Sequence, residues 1–469
     1  MPKDKENLID RAKKLIGKAF EVQSKSNEVL IFCKSCQCKF KIDPVHLKTQ
    51  YQSHLKSTKH KKSSETHILQ PSISNVIANN SKIETYSTKL LKAFLEAGIP
   101  VWKLRHPSIK KFFLEQHKEV LPCVKTFYSK IDSVFEEKVQ KIKNYIGDHP
   151  IYLIVDETTD ACKRFVLNVL VGKLDGTPSK PVLLNTIFLD KTNNTTVQQA
   201  VNKACVTLYG PDITYDKVWL FITDQAPYMI RAGKGLKEMY PNMKHVTCLI
   251  HGLNRICEFV KKQYDDVNEL IASMKAVLAK SNDRRQKFRE ICQLPFPPDV
   301  IEIRWNYWLN AAFYYAKNFS AIKSFAQSLD SSSSKAVTKL KDSIANLGLE
   351  SSLLEINKYK FLTEAITSLE KQGLSVHEQL AILNSTKSKL CGAELEKLEK
   401  VLKKNPDWNF FETMPVDQKI KCEYAPLTSV DVERSFSTYK YVLSDQRHSL
   451  TETNIAMLNC IQFNNFIDD

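Results

Sequence analysis

The chain has little of what would make it a secreted scaffold, a membrane protein or a string of flexible modules. Twelve glycines in 469 residues are too few for long flexible linkers. Twelve cysteines over this length are too sparse for a disulfide scaffold. No apolar run reaches the ~18 residues that a membrane-spanning helix needs, and the first twenty residues lack the apolar segment and cleavage site of a secretory signal. We therefore expect a soluble protein of a reducing, intracellular compartment, with no membrane partner and mostly free thiols.

The composition that is present is basic and foldable. Hydrophobic residues make up 43% and aromatic residues 10% of the chain, so most of it should fold, with length enough for about three domains. The formal net charge of +16 favours a polyanionic partner, nucleic acid before membrane. The excess is uneven, because residues 1–65 hold 15 Lys and Arg against 7 Asp and Glu. The N-terminal segment is therefore the first candidate for a nucleic-acid contact.

The hydrophobic pattern changes from helical to strand-like spacing near residue 150 and returns to helical spacing after residue 260. Between these points, three strands, a helix, a strand, a helix and a strand follow one another, which is the succession of an RNase H-like mixed sheet. The five predicted strands are Tyr152–Val155, Phe165–Leu174, Pro181–Leu189, Lys217–Thr223 and His245–Ile250.

We therefore predict an α/β protein whose RNase H-like mixed sheet is interrupted by an all-helical insertion and preceded by a small zinc finger and a helical domain. The predicted domains are a basic C2H2/BED-like zinc finger (1–62), a linker (63–82), a small helical domain (83–148), the first part of the RNase H-like core (149–260), a helical insertion (261–415), and the completion of the core with a C-terminal dimerisation segment (416–469).

Two cysteines and two histidines near the N-terminus stand at the spacing of a zinc site. Cys33 and Cys36 are separated by two residues, His54 follows after seventeen more, and His60 after a further five. Zn²⁺ prefers four tetrahedral nitrogen or sulfur ligands, and a small basic segment needs such a metal to fold. Because five residues between the histidines exceed one helical turn, the helix that carries them must unwind to deliver His60. The alternative is a set of scattered thiols beside a lysine-rich helix, with Cys38 and His46 as chance neighbours.

Four lysines flank the second pair of these candidate ligands. Beside a zinc site they predict contacts to DNA phosphate, whereas alone they would more often form a solvated face. They are Lys56, Lys59, Lys61 and Lys62.

Three separated acids are candidates for a second metal site. Asp156 ends the first predicted strand and Asp224 ends the fourth, so a parallel pairing would bring their side chains together at one sheet edge. Glu433, in the segment SVDVERSFS, is the candidate third acid. Such carboxylates hold two Mg²⁺ or Mn²⁺ ions about 4 Å apart for phosphodiester chemistry. Each acid alone has a plain alternative as a loop, helix-cap or surface residue.

From about Tyr152 onward, the sequence motifs around these acids resemble those of the hAT superfamily of DDE transposases. The matching segments are DETTD at Asp156, TDQAPYM at Asp224, CLIH from Cys248 to His251, Arg304-Trp305, and VDVERSFSTYKYVLSDQRHSL around Glu433. The resemblance implies three metal-binding acids, a Cys-x-x-His pair beside them, an Arg-Trp pair near the cleaved DNA, and a terminal dimerisation segment.

The near-site pairs also have structural alternatives. Cys248 and His251 would otherwise be buried core residues. Trp305 begins an aromatic-rich stretch that is usually helix core, unless its indole stacks on a base while Arg304 contacts phosphate.

The N-terminal third is similar to CGG triplet repeat-binding protein, in FCKSCQCKF, SHLKSTKHKK and FLEAGIPVWKLRHPSIKKFF. The sequence therefore predicts a nuclear, dimeric or larger transposase-like enzyme with structural Zn²⁺ and catalytic Mg²⁺ or Mn²⁺, acting on the terminal inverted repeats of double-stranded DNA. One alternative is a domesticated, non-catalytic DNA-binding regulator of transcription. Another is a ribonuclease or exonuclease of the same fold, to which Glu157 and Asp160 would add acids.

Overall fold

A computed structural model describes most of the chain and divides it into two compact units. The first unit comprises Met1–Leu90 and His106–Cys123, and the second comprises Leu91–Arg105 and Val124–Asp469. The predicted linker, Lys62, Arg304 and Trp305 lie outside the described residues. Described are residues 2–17, 20–25, 28–34, 36, 38–61, 86–117, 120–211, 214–279, 281–298, 306–331, 334–443 and 450–467.

The first unit is built on a small antiparallel sheet that the hydrophobic pattern did not predict. Its strands are too short for the pattern to show, and only β2 carries a clear apolar alternation, with every second residue buried. Leu8 and Ala12 of the first helix pack with Phe20, Ile31 and Leu47 in one small core. The elements are α1 (Pro2–Leu15), β1 (Phe20–Lys25), β2 (Glu28–Cys33), β3 (Lys39–Lys41), α2 (Leu47–Lys56), a short helix at 58–61 and α3 (Pro107–His117).

The second unit contains a mixed five-stranded sheet in the order β6-β5-β4-β7-β8. The first three strands along the chain pair antiparallel, and β4, β7 and β8 pair parallel. Their bounds are Ile151–Thr159 for β4, Phe165–Lys173 for β5, Val182–Leu189 for β6, Val218–Thr223 for β7 and Lys244–Thr247 for β8.

Two strand predictions need correction. The first strand does not end at Asp156, because its ladder with β5 continues to Thr159, and only its parallel pairing with β7 stops at Ile154. The fifth strand does not reach Ile250. It ends at Thr247, and the next helix begins at Leu249. Apolar runs cannot separate a buried strand end from the start of a buried helix.

The sheet is buried on both faces, which explains its near-continuous apolar strands. One face, with Ile154 and Ile222, belongs to a large core shared with the following helices. The other face, with Val155 and Phe221, packs in a second core with the helices at 131–146, 194–209 and 227–239. Those helices are α5 (Ile131–Ile146), α6 (Asn194–Tyr209) and α7 (Pro227–Met239), preceded by a helix at 86–96 and α4 (Val124–Tyr128).

Helices follow the sheet until the chain returns to it. The longest of them is kinked at Asn318, whose backbone is not helical. These helices are α8 (Leu249–Lys261), α9 (Asp265–Ala279), α10 (Asn282–Cys292), α11 (Tyr307–Ser328), α12 (Lys335–Ala345), α13 (Leu349–Ile356), α14 (Lys360–Leu369), α15 (Val376–Lys389), α16 (Gly392–Lys403), α17 (Phe410–Thr413) and α18 (Val416–Lys421).

The last two helices, α19 (Val430–Val442) and α20 (Glu452–Phe463), pack back on the sheet. The α20 residues Ile455, Cys460 and Ile461 are buried within this chain. Just beyond α20, the side-chain amide of Asn464 accepts from the Leu183 N–H at 2.8 Å and donates to the Leu183 carbonyl at 2.7 Å. The Asn464 amide therefore pairs the backbone N–H and carbonyl of Leu183 on β6, the edge strand of the sheet. Apolar residues of α20, which belongs to the segment predicted to dimerise, are buried against their own unit. Among the described residues, no helix is long and apolar enough to cross a bilayer.

Candidate metal centres

The four residues predicted to bind zinc lie together in the first unit; we call Cys33, Cys36, His54 and His60 the finger site. All four ligand atoms lie within 4.8 Å of one another. The Cys33 Sγ is 3.4 Å from His60 Nδ1, and the Cys36 Sγ is 3.3 Å from His54 Nε2. Ligands 2.0–2.3 Å from a tetrahedral centre are separated by about 3.3–3.8 Å. The donor set and its spacing therefore fit a structural zinc ion.

Local structure explains how each ligand arrives. Cys33 ends β2, and its N–H donates to the Cys38 carbonyl at 2.9 Å, which turns the chain back towards β3. The helix that carries His54 ends where Ser57 takes an extended backbone, with φ −64° and ψ 141°. The Ser57 hydroxyl donates to the His54 carbonyl and accepts from the His60 N–H. The predicted unwinding between the two histidines is therefore seen at Ser57.

Two phenylalanine rings pack against the histidines of the finger site. Phe20 stacks on His60 and meets His54 edge-on, while Phe40 stacks on His54. Burial raises the pKa of the Cys36 thiol to about 11 and lowers the pKa of His54. Since zinc binds a thiolate and a neutral imidazole, a zinc ion at this site would supply the charge that makes the buried thiolates favourable.

In the second unit, two of the three predicted acids meet a histidine; we call Asp156, His251 and Glu433 the acid site. Their ligand atoms all lie within 4.8 Å of one another. Asp156 is on β4, His251 on α8 and Glu433 in the first turn of α19. Three elements that are distant in sequence therefore contribute one side chain each, at the end of the parallel ladder.

Charge at the acid site is held at a cost. Burial raises the pKa of Asp156 well above its usual value, and the Glu433, Glu157 and Asp224 carboxylates raise it further. Burial also raises the pKa of Glu433. Carboxylates this close share a proton or a cation, because two adjacent buried negative charges repel. A cation bound between these carboxylates would therefore reduce their mutual repulsion.

Asp224 stands at the end of β7, near the acid site but outside its closest group of ligand atoms. Its Oδ1 accepts from the Ala226 N–H at 2.9 Å, at the start of α7. Burial raises its pKa, against that hydrogen bond and the charge of Arg255. Asp224 also acts electrostatically on Asp156 and Glu433. Asp224 is therefore a nearby acid that would be available as a further ligand to a divalent metal ion.

Glu157 is an acid of this region that the resemblance did not single out. Its Oε2 is buried without a hydrogen-bond partner, and burial, with the charge of Asp224, raises its pKa to about 7. The sequence signal was only its place beside Asp156. By contrast, Asp160 is occupied, because its Oδ2 accepts from Arg164 and from the Tyr439 hydroxyl.

The Cys-x-x-His pair divides into a structural and a site residue. The buried Cys248 thiol accepts from the Ser429 N–H at 3.2 Å, and burial raises its pKa, so it holds the chain just before α19. His251 Nδ1 lies 3.3 Å from the Ser429 hydroxyl. Burial lowers the pKa of His251 to about 3, and a neutral imidazole is the form that binds metals. Both residues therefore connect to Ser429, and His251 also belongs to the acid site.

The remaining predicted contacts can be placed only in part. Lys56, Lys59 and Lys61 are exposed on and after α2, on the same short stretch as His54 and His60. Lys62, Arg304 and Trp305 lie outside the described residues, so the predicted Arg-Trp contact stays a prediction.

Comparison with known families gives a match for part of the second unit. Residues 124–277 match a domain of unknown function (DUF659). That domain is found in hAT-family transposase-like proteins, so the match supports a transposase-derived family for this chain. The matched residues include Asp156, Asp224 and His251, but neither Glu433 nor the finger site. Comparison with curated proteins finds no match.

Proposed function

We propose that this chain is a hAT-type, transposase-like DNA-binding protein that cleaves and transfers DNA strands in a metal-dependent reaction. The observation that carries the proposal is the meeting of Asp156, His251 and Glu433 within 4.8 Å at one edge of a mixed sheet. Acids on remote elements that converge while buried are costly to keep, and such perturbed groups concentrate at functional sites.

The strand arrangement supports an RNase H-like frame for that site. Three antiparallel strands in chain order are followed by two strands that pair parallel on the other side of β4. β4 thus lies at the centre of the sheet. Asp156, two residues beyond the end of the parallel pairing of β4 with β7, and Asp224, directly after β7, lie towards the same edge of the sheet. A ligand crevice at the carboxyl ends of neighbouring parallel strands is a general feature of such sheets.

The donor atoms of the acid site fit Mg²⁺ or Mn²⁺. Carboxylate oxygens from Asp156 and Glu433 suit both ions, with Asp224 and Glu157 close by as further acids, and the His251 imidazole suits Mn²⁺ better than Mg²⁺. When bound, such ions activate an attacking oxygen and stabilise a leaving one in phosphoryl transfer. The residues of this chain hold the position, exclude bulk water by burial and keep the imidazole neutral.

The first unit would supply DNA recognition. The outward positions of α2 and the residues after it carry Lys48, Lys56, Lys59 and Lys61, and α2 has no acidic residue in its sequence LKTQYQSHLK. A zinc-held helix with such a face fits the major groove, with lysines on phosphate. On this proposal the protein works in the nucleus, on the terminal inverted repeats of double-stranded DNA, as a dimer or larger oligomer.

The test is cleavage of DNA that carries the inverted repeats beside the protein's own gene, with Mn²⁺ or Mg²⁺. We expect Asp156→Ala and Glu433→Ala to abolish cutting while DNA binding persists, because the finger is untouched. Glu238→Gln, an exposed acid on α7, is the matched control and should cut like wild type. Equal cutting by all four proteins would refute the assignment of the acids, and preferential cutting of RNA–DNA hybrid would favour the ribonuclease alternative.

A second candidate is a non-catalytic, transposase-derived regulator of transcription. The observation that favours it is the position of Asp224, whose carboxylate accepts from the Ala226 N–H just before α7 and does not join the closest ligand group. Such a protein would bind the same DNA with zinc and show no metal-dependent cleavage. Strand cleavage above the Asp156→Ala background decides between the two candidates.

A further inference from the structure

A chain of buried polar side chains runs under the acid site from the last helix to α19. The Asn459 side-chain amide on α20 donates to the Thr186 hydroxyl on β6 at 2.8 Å, and that hydroxyl donates to the side-chain Oδ1 of Asn168 at 2.8 Å. The Asn168 amide then donates to the Ser435 hydroxyl on α19 at 2.7 Å. Asn168, Ser435 and Asn459 are fully buried. We call these four residues the buried relay.

The buried relay is linked indirectly to both acids of the acid site, Asp156 and Glu433. Asn168 on β5 is the direct antiparallel partner of Asp156 on β4, and cross-strand partners present their side chains on the same face. Ser435 is two residues beyond Glu433 on α19 and belongs to the buried face of that helix. The bond between Asn168 and Ser435 therefore ties the helix of one acid to the neighbour of the other.

Such a tie has a physical need. Asp156 on β4 and Glu433 on α19 are far apart in sequence, yet their carboxylate oxygens lie within 4.8 Å of each other, so the packing of α19 against the sheet sets the distance between them. An apolar contact slides along a helix with little penalty, whereas a buried hydrogen bond is lost outright when its partners separate. The tie is reinforced one turn further along α19, where the Tyr439 hydroxyl donates to Asp160.

We propose that Asn168 is a positioning residue, which, through Ser435, holds Glu433 at metal-binding distance from Asp156. The inference rests on the proposed function, because it concerns the cation that those acids would hold. Residues that orient metal ligands from behind typically change metal affinity by about 10–100-fold when mutated. The buried relay should act on affinity, beyond any effect on folding.

The experiment measures Mn²⁺ binding to the full-length protein by electron paramagnetic resonance, without DNA, at a temperature where circular dichroism shows every variant folded. Ser435→Ala and Asn168→Ala should weaken Mn²⁺ binding about tenfold or more. Thr186→Val, one bond further away, should weaken it less. Ser437→Ala, an exposed serine on the same helix, is the matched control and should bind like wild type.

Two results would overturn the proposal, and they differ. If Ser435→Ala and Asn168→Ala lower the Tm but bind Mn²⁺ as tightly as wild type, the buried relay is structural only. If wild type binds Mn²⁺ no better than Glu433→Gln, there is no cation to position and the proposed function fails as well. Ser435→Ala removes one hydroxyl and keeps the experiment decisive should Asn168→Ala not fold.

Discussion

The finger site takes its four ligands from one stretch between Cys33 and His60, whereas the acid site takes three from β4, α8 and α19. The finger is a small unit with a core of few apolar side chains, which is too little to fold a segment of this size alone. The acid site stands on a sheet with both faces buried. In the first unit a bound zinc ion would therefore help to make the fold, whereas in the second unit the fold by itself brings the candidate ligands together.

The electrostatics of the two sites differ in the same sense. In the finger, a zinc ion would supply the charge that lets two buried thiols ionise, so the ion and the fold would stabilise each other. At the acid site, the core keeps together carboxylates that repel, so the site carries strain that a cation would relieve. Removing the ion should hurt the first unit, and removing the charges should help the second.

The largest expected effect is on the finger. Cys36→Ser, or chelation of zinc, should unfold the sheet and helix around the finger site, because structural zinc contributes roughly 10–16 kcal/mol to such folds. Limited proteolysis within residues 20–61 measures this, since an unfolded finger is cut quickly. Cys38→Ser is the matched control, because Cys38 lies outside the ligand group. Protection that survives in Cys36→Ser would contradict the contrast.

The next largest effect is expected in the core of the second unit, where stability should depend on the protonation of a buried histidine and not on a metal ion. His245 on β8 is 1% exposed, its Nε2 lies 2.9 Å from the Thr223 hydroxyl, and burial lowers its pKa to about 4. An imidazole whose pKa in the folded state lies below its usual value of 6.5 contributes its full stabilisation above pH 6.5. That stabilisation is lost as the pH falls towards 4.

Acidification from pH 6.5 to pH 4 should therefore lower the free energy of unfolding by about 3 kcal/mol through protonation of His245. Thermal unfolding at pH 7.5 and pH 4.5 measures it, with metal chelated in both. His245→Phe should unfold at lower temperature at pH 7.5 but lose less between the two pH values. An equal loss in wild type and variant would show that this histidine does not carry the pH dependence.

A smaller effect, of opposite sign to that at the finger, is expected at the acid site. Asp156→Asn removes one of the repelling carboxylates, so without divalent metal its Tm should rise, by about 2–4 °C for each 1 kcal/mol of repulsion relieved. Mn²⁺ should raise the Tm of wild type and leave that of Asp156→Asn unchanged. Glu238→Gln serves again as control. A fall in the Tm of metal-free Asp156→Asn would mean that the acids stabilise the fold.

The smallest effect concerns DNA. Lys59→Ala should weaken binding almost equally for all sequences and reduce the slope of log affinity against log salt by about 1, as expected for one phosphate contact. Lys41→Ala is the matched control, because Lys41 is exposed on β3 and already paired with Glu28 at 2.6 Å. Fluorescence anisotropy over a salt series measures both. The same slope in both variants would remove Lys59 from the DNA-facing side.

Sequence reasoning reached the finger site completely because its ligands are local. Spacing alone named Cys33, Cys36, His54 and His60, and also required the break that the structure places at Ser57. The three short strands of the same unit escaped it. Their length gives no clear alternation, and their pairing depends on partners across the turn.

At the acid site, sequence reasoning named the parts and not their grouping. The strand succession predicted the five strands, although the end of β4 and the junction of β8 with α8 were misjudged. The motifs predicted Asp156, Asp224 and Glu433 as the three acids, with His251 beside them, whereas in the structure His251 and not Asp224 belongs to the closest ligand group. Only the packing of α7 shows that the Asp224 carboxylate accepts from the Ala226 N–H.

What the sequence by itself determined is everything set by neighbours along the chain: the zinc ligands, the basic segment, the buried strands and the helical stretches. Tertiary structure alone decided which distant side chains meet. Glu433 reaches Asp156 because α19 returns to the sheet, where the Asn168 amide donates to the Ser435 hydroxyl. The fold likewise leaves the Oε2 atom of Glu157 buried without a hydrogen-bond partner. Such contacts join residues whose separation in sequence carries no periodic signal, so only the folded chain brings them together.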